Sequence, residues 1–368
     1  MTNRRNPRPF TLKSISRTWI CFSALLLLAP LTAQAASSEA TLRAGLGYNS
    51  NPDGLADSVS GQWLARAYVS CGAHLFRLGR TTGSLHYQGG IERGLWGGSD
   101  TDSLEATATN GLALHLGHHV PGWARMGFDA RVKNRSTHRL RASPGYFSQE
   151  AALSLTTRPV GRTHGVLYFR QSARDYEARF AGYAAGAYGL GVETLLPGVV
   201  SLCLTVGETR LRFDRHALCK DASGQVAADS LGGDQRDALS EVKLGLRLYT
   251  PLLLTADYAY QDNASNSYGY PYRAHKLTLI VTKDLPHGTV GQLYGSFQWR
   301  RYRDPVVGPS TEDLQVDEYE HTMCTARLSR ALSKAVELDA QYAYRKASNQ
   351  RERFYKQHLV SLSLSLAH

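Results

Sequence analysis

The 368-residue sequence is poor in methionine, with three, and in cysteine, with five, and only 20% of its residues are charged. Long apolar runs are also scarce. One occurs, at the extreme N-terminus, whereas a bundle of membrane helices needs repeated stretches of roughly 18 or more apolar residues, so that class is excluded. Blocks of like charge are rare and 42% of the chain is apolar, which excludes a disordered chain. Catalytic and redox signatures are missing too. There is no Gly-x-Ser-x-Gly elbow, no adjacent acidic pair of the kind rim proteases carry, no Cys-x-x-Cys metal pair and no Cys-x-x-Cys-His haem motif. We therefore expect no enzyme, no cofactor and no bound metal.

What is abundant is glycine, with 34, and tyrosine, with 20. The N-terminus reads as an export signal. Arg4, Arg5, Arg8, Lys13 and Arg17 precede the apolar stretch Trp19 to Leu31, and Ala33-Gln34-Ala35 supplies the small-x-small cleavage site. Cleavage after Ala35 divides the chain into a signal, 1–35, and one mature domain, 36–368. It also removes those five basic residues from a net charge of +11, leaving the mature chain only mildly basic. Nothing in that balance calls for nucleic acid. Cys71, Cys203, Cys219 and Cys324 remain. Their even number in an exported chain permits disulfides, while their distribution over strand-like segments equally fits isolated small side chains.

Beyond the signal the hydrophobic period is two. Val336, Leu338, Ala340, Tyr342 and Tyr344 alternate with Glu337, Asp339, Gln341 and Arg345, and Ala124, Met126, Phe128, Ala130 and Val132 alternate with Arg125, Asp129, Arg131 and Lys133. Strands are expected at 40–49, 61–77, 81–96, 104–116, 123–133, 146–157, 163–174, 183–194, 200–212, 239–249, 252–261, 273–283, 289–302, 319–330, 335–346 and 354–367. Many run to about ten residues or more, longer than the five or six usual in a soluble sandwich, and short connections alternate with long ones. The expected class is all-β: a transmembrane, antiparallel, up-and-down β-barrel of about 16 strands, with 14 and 18 as neighbouring counts. Tyr48, Trp63, Tyr258, Tyr260, Trp299, Tyr302, Tyr319 and Tyr344 fall at strand ends near the long connections, as an aromatic girdle requires. Such a chain belongs in a bacterial outer membrane, with both termini periplasmic, and its partners are outer-membrane lipids and the barrel-assembly machinery.

Two segments carry a family resemblance. Ala44-Gly45-Leu46-Gly47-Tyr48-Asn49-Ser50-Asn51-Pro52 resembles the opening strand and first loop of porin-like outer-membrane proteins encoded with exopolysaccharide and surface-export machinery. Tyr342-Ala343-Tyr344-Arg345-Lys346-Ala347-Ser348-Asn349, with His358 to Leu366, resembles their final hairpin. The resemblance implies a conduit for a surface polymer and periplasmic export partners. The chain departs from most outer-membrane barrels in ending Leu366-Ala367-His368 rather than on an aromatic residue.

Function is then sought in the lumen. Opposite the apolar faces stand Arg43, Arg66, Arg125, Arg131, Lys243, Arg247 and Arg345, with Glu241 and Asp257 among the acids. They are the candidate lumen residues. The connection 213–238 is the longest and most charged, and Asp214, Arg215, Lys220, Asp234 and Arg236 are its candidate constriction residues. His115, His118 and His119 surround an expected turn at Gly117 and lack an acidic or sulfur partner nearby in the sequence, so they read as a solvated turn. Three readings remain open: a channel, a non-conducting scaffold in a secretion complex, and, less favoured, an outer-membrane enzyme.

Overall fold

The computed structural model describes residues 38–51, 61–97, 106–138, 145–176, 182–197, 199–229, 233–304, 320–348 and 354–367. The expected export signal, Tyr319 and His368 lie outside these residues. The strands are β1 (Ser38–Asn49), β2 (Gln62–Leu78), β3 (Thr81–Gly97), β4 (Ala106–Val120), β5 (Ala124–His138), β6 (Tyr146–Thr157), β7 (Thr163–Tyr176), β8 (Tyr183–Leu196) and β9 (Val200–His216). They continue with β10 (Leu218–Lys220), β11 (Val226–Ala228), β12 (Asp234–Leu248), β13 (Leu253–Ser265), β14 (Tyr272–Leu285), β15 (Thr289–Tyr302), β16 (Glu320–Ala331), β17 (Val336–Ser348) and β18 (Phe354–Ala367). All but β10 and β11 form one closed, antiparallel 16-stranded barrel in which each strand pairs with its sequence neighbours and β1 pairs with β18. No helix among the described residues is long and apolar enough to cross a membrane.

The period of two explains the closure. Leu42, Ala44, Leu46 and Tyr48 of β1 stand beside Leu366, Leu364, Leu362 and Val360 of β18, so one face of the seam is continuously apolar. Leucines of that face are about half exposed: Leu42 51%, Leu244 53%, Leu364 48%. Such a band is unstable against water and satisfied by hydrocarbon. A 12-residue strand such as β1 rises roughly 40 Å, or roughly 30 Å once tilted, which matches a bilayer core. Tight turns occupy one rim, helped by Gly79 at φ 56° and Gly122 at φ 81°, conformations that side chains resist. The barrel's chain ends lie at this same rim, where Ala367 N donates to Ala335 O.

Three expectations are corrected. Residues 213–238 are not one loop. β9 extends to His216 and β12 starts at Asp234, so Asp214, Arg215, Asp234 and Arg236 belong to barrel strands, and the remaining connection carries the β10–β11 hairpin. The strands continue because Leu211 and Phe213 alternate with Arg210 and Arg212, a period of two in which the faces have exchanged polarity. The histidines are not a turn. β4 runs to Val120, His115 Nδ1 lies 2.8 Å from Asp129 Oδ1, and His118 Nδ1 lies 2.9 Å from Thr81 Oγ1 on the opposite face. Tyr302 leaves the girdle for the inner face, where it meets Tyr272 at 5.7 Å.

Candidate functional site

Register assigns every expected lumen residue to the face opposite the apolar band, which in a closed barrel is the interior. Most of them are neutralised there. Arg66 Nε meets Glu92 Oε2 at 2.7 Å, Lys243 Nζ meets Asp257 Oδ2 at 3.0 Å, and Arg247 Nη1 meets Glu193 Oε1 at 3.5 Å. Glu241 Oε2 accepts a hydrogen bond from Gln261 at 2.7 Å, and Arg43 is committed to Asp339. Paired charges of this kind line a wall without giving it a net sign.

One wall differs. β5 turns Arg125, Arg131, Lys133 and Arg135 inward, and β7 adds Arg170 and Arg174. Between them β6 offers Glu150, Ser148, Ala152, Ser154 and Thr156. Among the described residues the only acids that these three strands turn inward are Asp129, held by His115, and Glu150, which stands opposite Arg131 in register without closing an ion pair. Among the described residues Arg125, Arg131 and Arg170 have no ion-pair partner, so this wall carries an uncompensated positive charge; Arg345 on β17 is likewise unpaired. Arg170 and Arg135 escape a reading of the sequence because Gln171 and Asn134 interrupt the apolar rows beside them. The run Leu167, Phe169 is the signal that fixes Arg170 inward.

Toward the long-loop rim, cations are held between rings. The Arg174 guanidinium lies 4.8 Å from the Tyr146 ring centre and 5.7 Å from that of Tyr183. Arg300 lies 4.2 Å from Tyr272 and 5.8 Å from Tyr302, and Arg215 lies 4.5 Å from Tyr270 and 5.2 Å from Phe213. Stacking fixes the long side chains while leaving their charge at the inner surface. Arg215 is anchored further, its Nε donating to the fully buried Gln235 Oε1 at 2.7 Å. Lys220 leans over Tyr268 at 5.5 Å on the hairpin, which is tied to the β13–β14 loop by Leu218 N donating to Ser267 Oγ.

No protein-family model and no curated protein matches the chain. Solved structures do. OccAB1 of Acinetobacter baumannii superimposes over 92% of this chain and 98% of its own, with 10% identity and a TM-score of 0.50. The chain has the fold of the outer-membrane porin-like barrels. The outer membrane protein OprD of Pseudomonas aeruginosa also resembles this porin-like barrel, with 10% identity over 92% and 95% of the two chains and a TM-score of 0.48. A bacterial polysaccharide outer membrane secretin gives 8% identity, coverages of 89% and 97%, and a TM-score of 0.42. Among the described residues this porin-like barrel gathers no group of three His, Cys, Asp or Glu able to hold a metal. Cys71, Cys203, Cys219 and Cys324 are free, so none of the permitted disulfides forms among them.

Proposed function

We propose that the protein is an outer-membrane channel through which small polar solutes diffuse, with a preference for anionic ones. The observation that carries this reading is the uncompensated wall of Arg125, Arg131 and Arg170, in contrast to Lys243 and Arg247, whose charges are met by Asp257 and Glu193. Sixteen strands enclose a cylinder too wide for side chains to fill, so an aqueous passage is the default. A fixed positive wall in that passage raises the local concentration of anions and repels cations. In this reading the chain is exported by its N-terminal signal and inserted by the barrel-assembly machinery. Its long-loop rim faces outward and both termini stay periplasmic. Of the segments that resemble surface-export barrels, Ala44 to Pro52 and Tyr342 to Asn349, the strand parts up to Asn49 and Ser348 both pair with β18, and barrel closure accounts for their pattern without a polymer substrate.

The test is the reversal potential of the refolded barrel in a planar bilayer under a potassium chloride gradient. Anion preference is expected for the native chain, reduced in the triple variant Arg125→Gln, Arg131→Gln, Arg170→Gln. A native barrel that conducts with cation preference, or does not conduct, sinks the proposal.

A further inference from the structure

The outside of the barrel carries its own basic site. Along β13–β15, Tyr260, His275 and Trp299 lie on the apolar, outward face, and Tyr260 and His275 meet at 5.3 Å. One step nearer the long-loop rim on the same face are Arg273 and Arg301, followed by Arg303 just beyond β15. Together with Arg300 and Tyr302 of the same strand they line a groove of about 950 Å³. Trp299 is 56% exposed, as open as the outward leucines of that face, so its indole is free to meet a ligand. All three arginines are exposed. Asp262 is the only acid paired with them among the described residues, meeting Arg273 at 3.5 Å and also engaging Arg303, so two of the three guanidinium groups share one carboxylate. Arg301 has no ion-pair partner there.

An arginine cluster on a lipid-facing wall is costly at mid-membrane and favourable only where anionic headgroups lie. The groove has the three layers such a lipid needs. Leu277, Leu279 and Leu293 offer an acyl surface, the exposed Trp299 indole and the half-buried Tyr260 phenol offer faces on which a sugar ring stacks, and the guanidinium forks fit phosphate oxygens bidentately. We propose that this groove binds a phosphate-bearing glycolipid of the outer leaflet, its phosphates held by Arg273, Arg301 and Arg303 and its sugar by Trp299 and Tyr260. The proposal rests on the reading of the long-loop rim as the outer one, and its test separates the two.

Purified barrel is titrated with phosphatidylethanolamine vesicles containing diphosphoryl lipid A, monophosphoryl lipid A or phosphatidylglycerol, and separately with inorganic pyrophosphate, following Trp299 fluorescence against a Trp299→Phe blank. Tightest binding to the diphosphoryl lipid is expected. The double variant Arg301→Gln, Arg303→Gln should weaken it about thirtyfold, at roughly tenfold or less per arginine near a lipid surface. Arg93→Gln, an outward arginine on distant β3, should leave it unchanged. Equal binding of phosphatidylglycerol and lipid A, equal losses for Arg93→Gln and the groove variant, or pyrophosphate binding as tightly as the lipid each overturns the site. None of these arms depends on orientation. Orientation is read on intact cells by labelling a Ser223→Cys variant, in a background with the native cysteines replaced, with an impermeant maleimide. A hairpin that labels only after lysis overturns the outward assignment of the rim, and with it the physiological side of this site, while the vesicle result still decides its chemistry.

Discussion

Arg43 Nη2 on β1 lies 3.2 Å from Asp339 Oδ2 on β17, reaching past the intervening β18. Arg43 Nε donates to Ser365 Oγ of β18 at 2.9 Å, and Ser365 Oγ in turn donates to Asp339 Oδ2 at 3.3 Å. From the other side Arg327 of β16 approaches Asp339 Oδ1 at 2.5 Å, and Ser329 donates to the same oxygen. A single carboxylate, only 4% exposed, therefore ties together the four strands around the seam where the sheet closes on itself. Arg43, a candidate for solute selection by sequence, is occupied in closing the barrel.

Replacing Asp339 by Ala should accordingly destabilise the barrel. Removing it takes the ion pair from Arg43, leaves Arg327 only Glu337 at 3.3 Å and frees two hydroxyls in a partly buried place, a loss of about 2 to 4 kcal/mol when tempered by the partial hydration of Arg43 and Arg327. Equilibrium urea unfolding in lipid vesicles measures it. Arg66→Gln, which breaks one pair with the more exposed Glu92 carboxylate outside this network, should cost less, and the reverse order would show that the seam network is not what holds the closure.

The two faces of the barrel should differ sharply in tolerance. Arg at Leu244, Leu246 or Leu338 places a charge against hydrocarbon, at about 2 to 4 kcal/mol near the bilayer midplane, whereas Arg at inward Gln341 meets the lumen and should be mild. The same urea titration compares them. Equal tolerance would mean that the register is shifted by one residue, since such a slip exchanges the faces.

The sixteen-strand barrel was legible because its signal is local and repeated. Alternation in Val336 to Tyr344 or Ala124 to Val132 states which side is apolar without knowledge of any distant neighbour. The candidate site was less legible because its net charge depends on pairing between strands. Lys243 and Arg131 look alike in sequence, yet Lys243 meets Asp257 of the next strand while Arg131 finds no partner. The β9–β12 extension was missed where the faces exchange polarity. Arg210 and Arg212 point outward with Glu208 and Asp234 beside them, and Phe213 turns inward beneath the rim. The cue there was alternation itself, irrespective of which set was apolar.

Acid should loosen the tip of the β10–β11 hairpin. Asp221 accepts hydrogen bonds from Ser223 Oγ at 2.6 Å and Gln225 N at 2.8 Å, and these bonds, the Ser223 one foremost, hold its carboxyl below the ordinary carboxylate range. A depressed value in the folded chain means that the ionised form favours the ordered turn. Its contribution is complete above the ordinary carboxylate pKa and is lost as pH falls through that range and below it. Hydrogen exchange at the Gln225 amide, corrected for intrinsic rate, should show protection at pH 7 that fades toward pH 3. Asp221→Asn should be weakly protected at both, and a native turn equally protected at both pH values would count against the carboxylate as its support.

The same hairpin should narrow the mouth. Its base is tied to the β13–β14 loop, where Leu218 N donates to Ser267 Oγ and Tyr268 N donates to Leu218 O, and that loop is fixed by a buried polar cluster. Gln235 Nε2 donates to Asp237 Oδ1 at 3.0 Å, and Asn263 Nδ2 donates to Asp237 Oδ2 and to Tyr270 O, each at 3.1 Å. Gln235, Asn263 and Ser267 are all but inaccessible, so the hairpin and the β13–β14 loop are seated by satisfied hydrogen bonds and not by loose contact. Replacing residues 219–228 with a short Gly-Ser linker leaves Arg215, Gln235 and Asn263 in place, so the barrel should fold while its single-channel conductance rises. Gln235→Ala supplies the complementary arm: it should leave the hairpin present but poorly seated, giving conductance that fluctuates between the native level and the higher level of the deletion. If a correctly folded deletion conducts as the native chain does, the hairpin lies beside the aperture and the constriction must be sought among the stacked arginines Arg174 and Arg300.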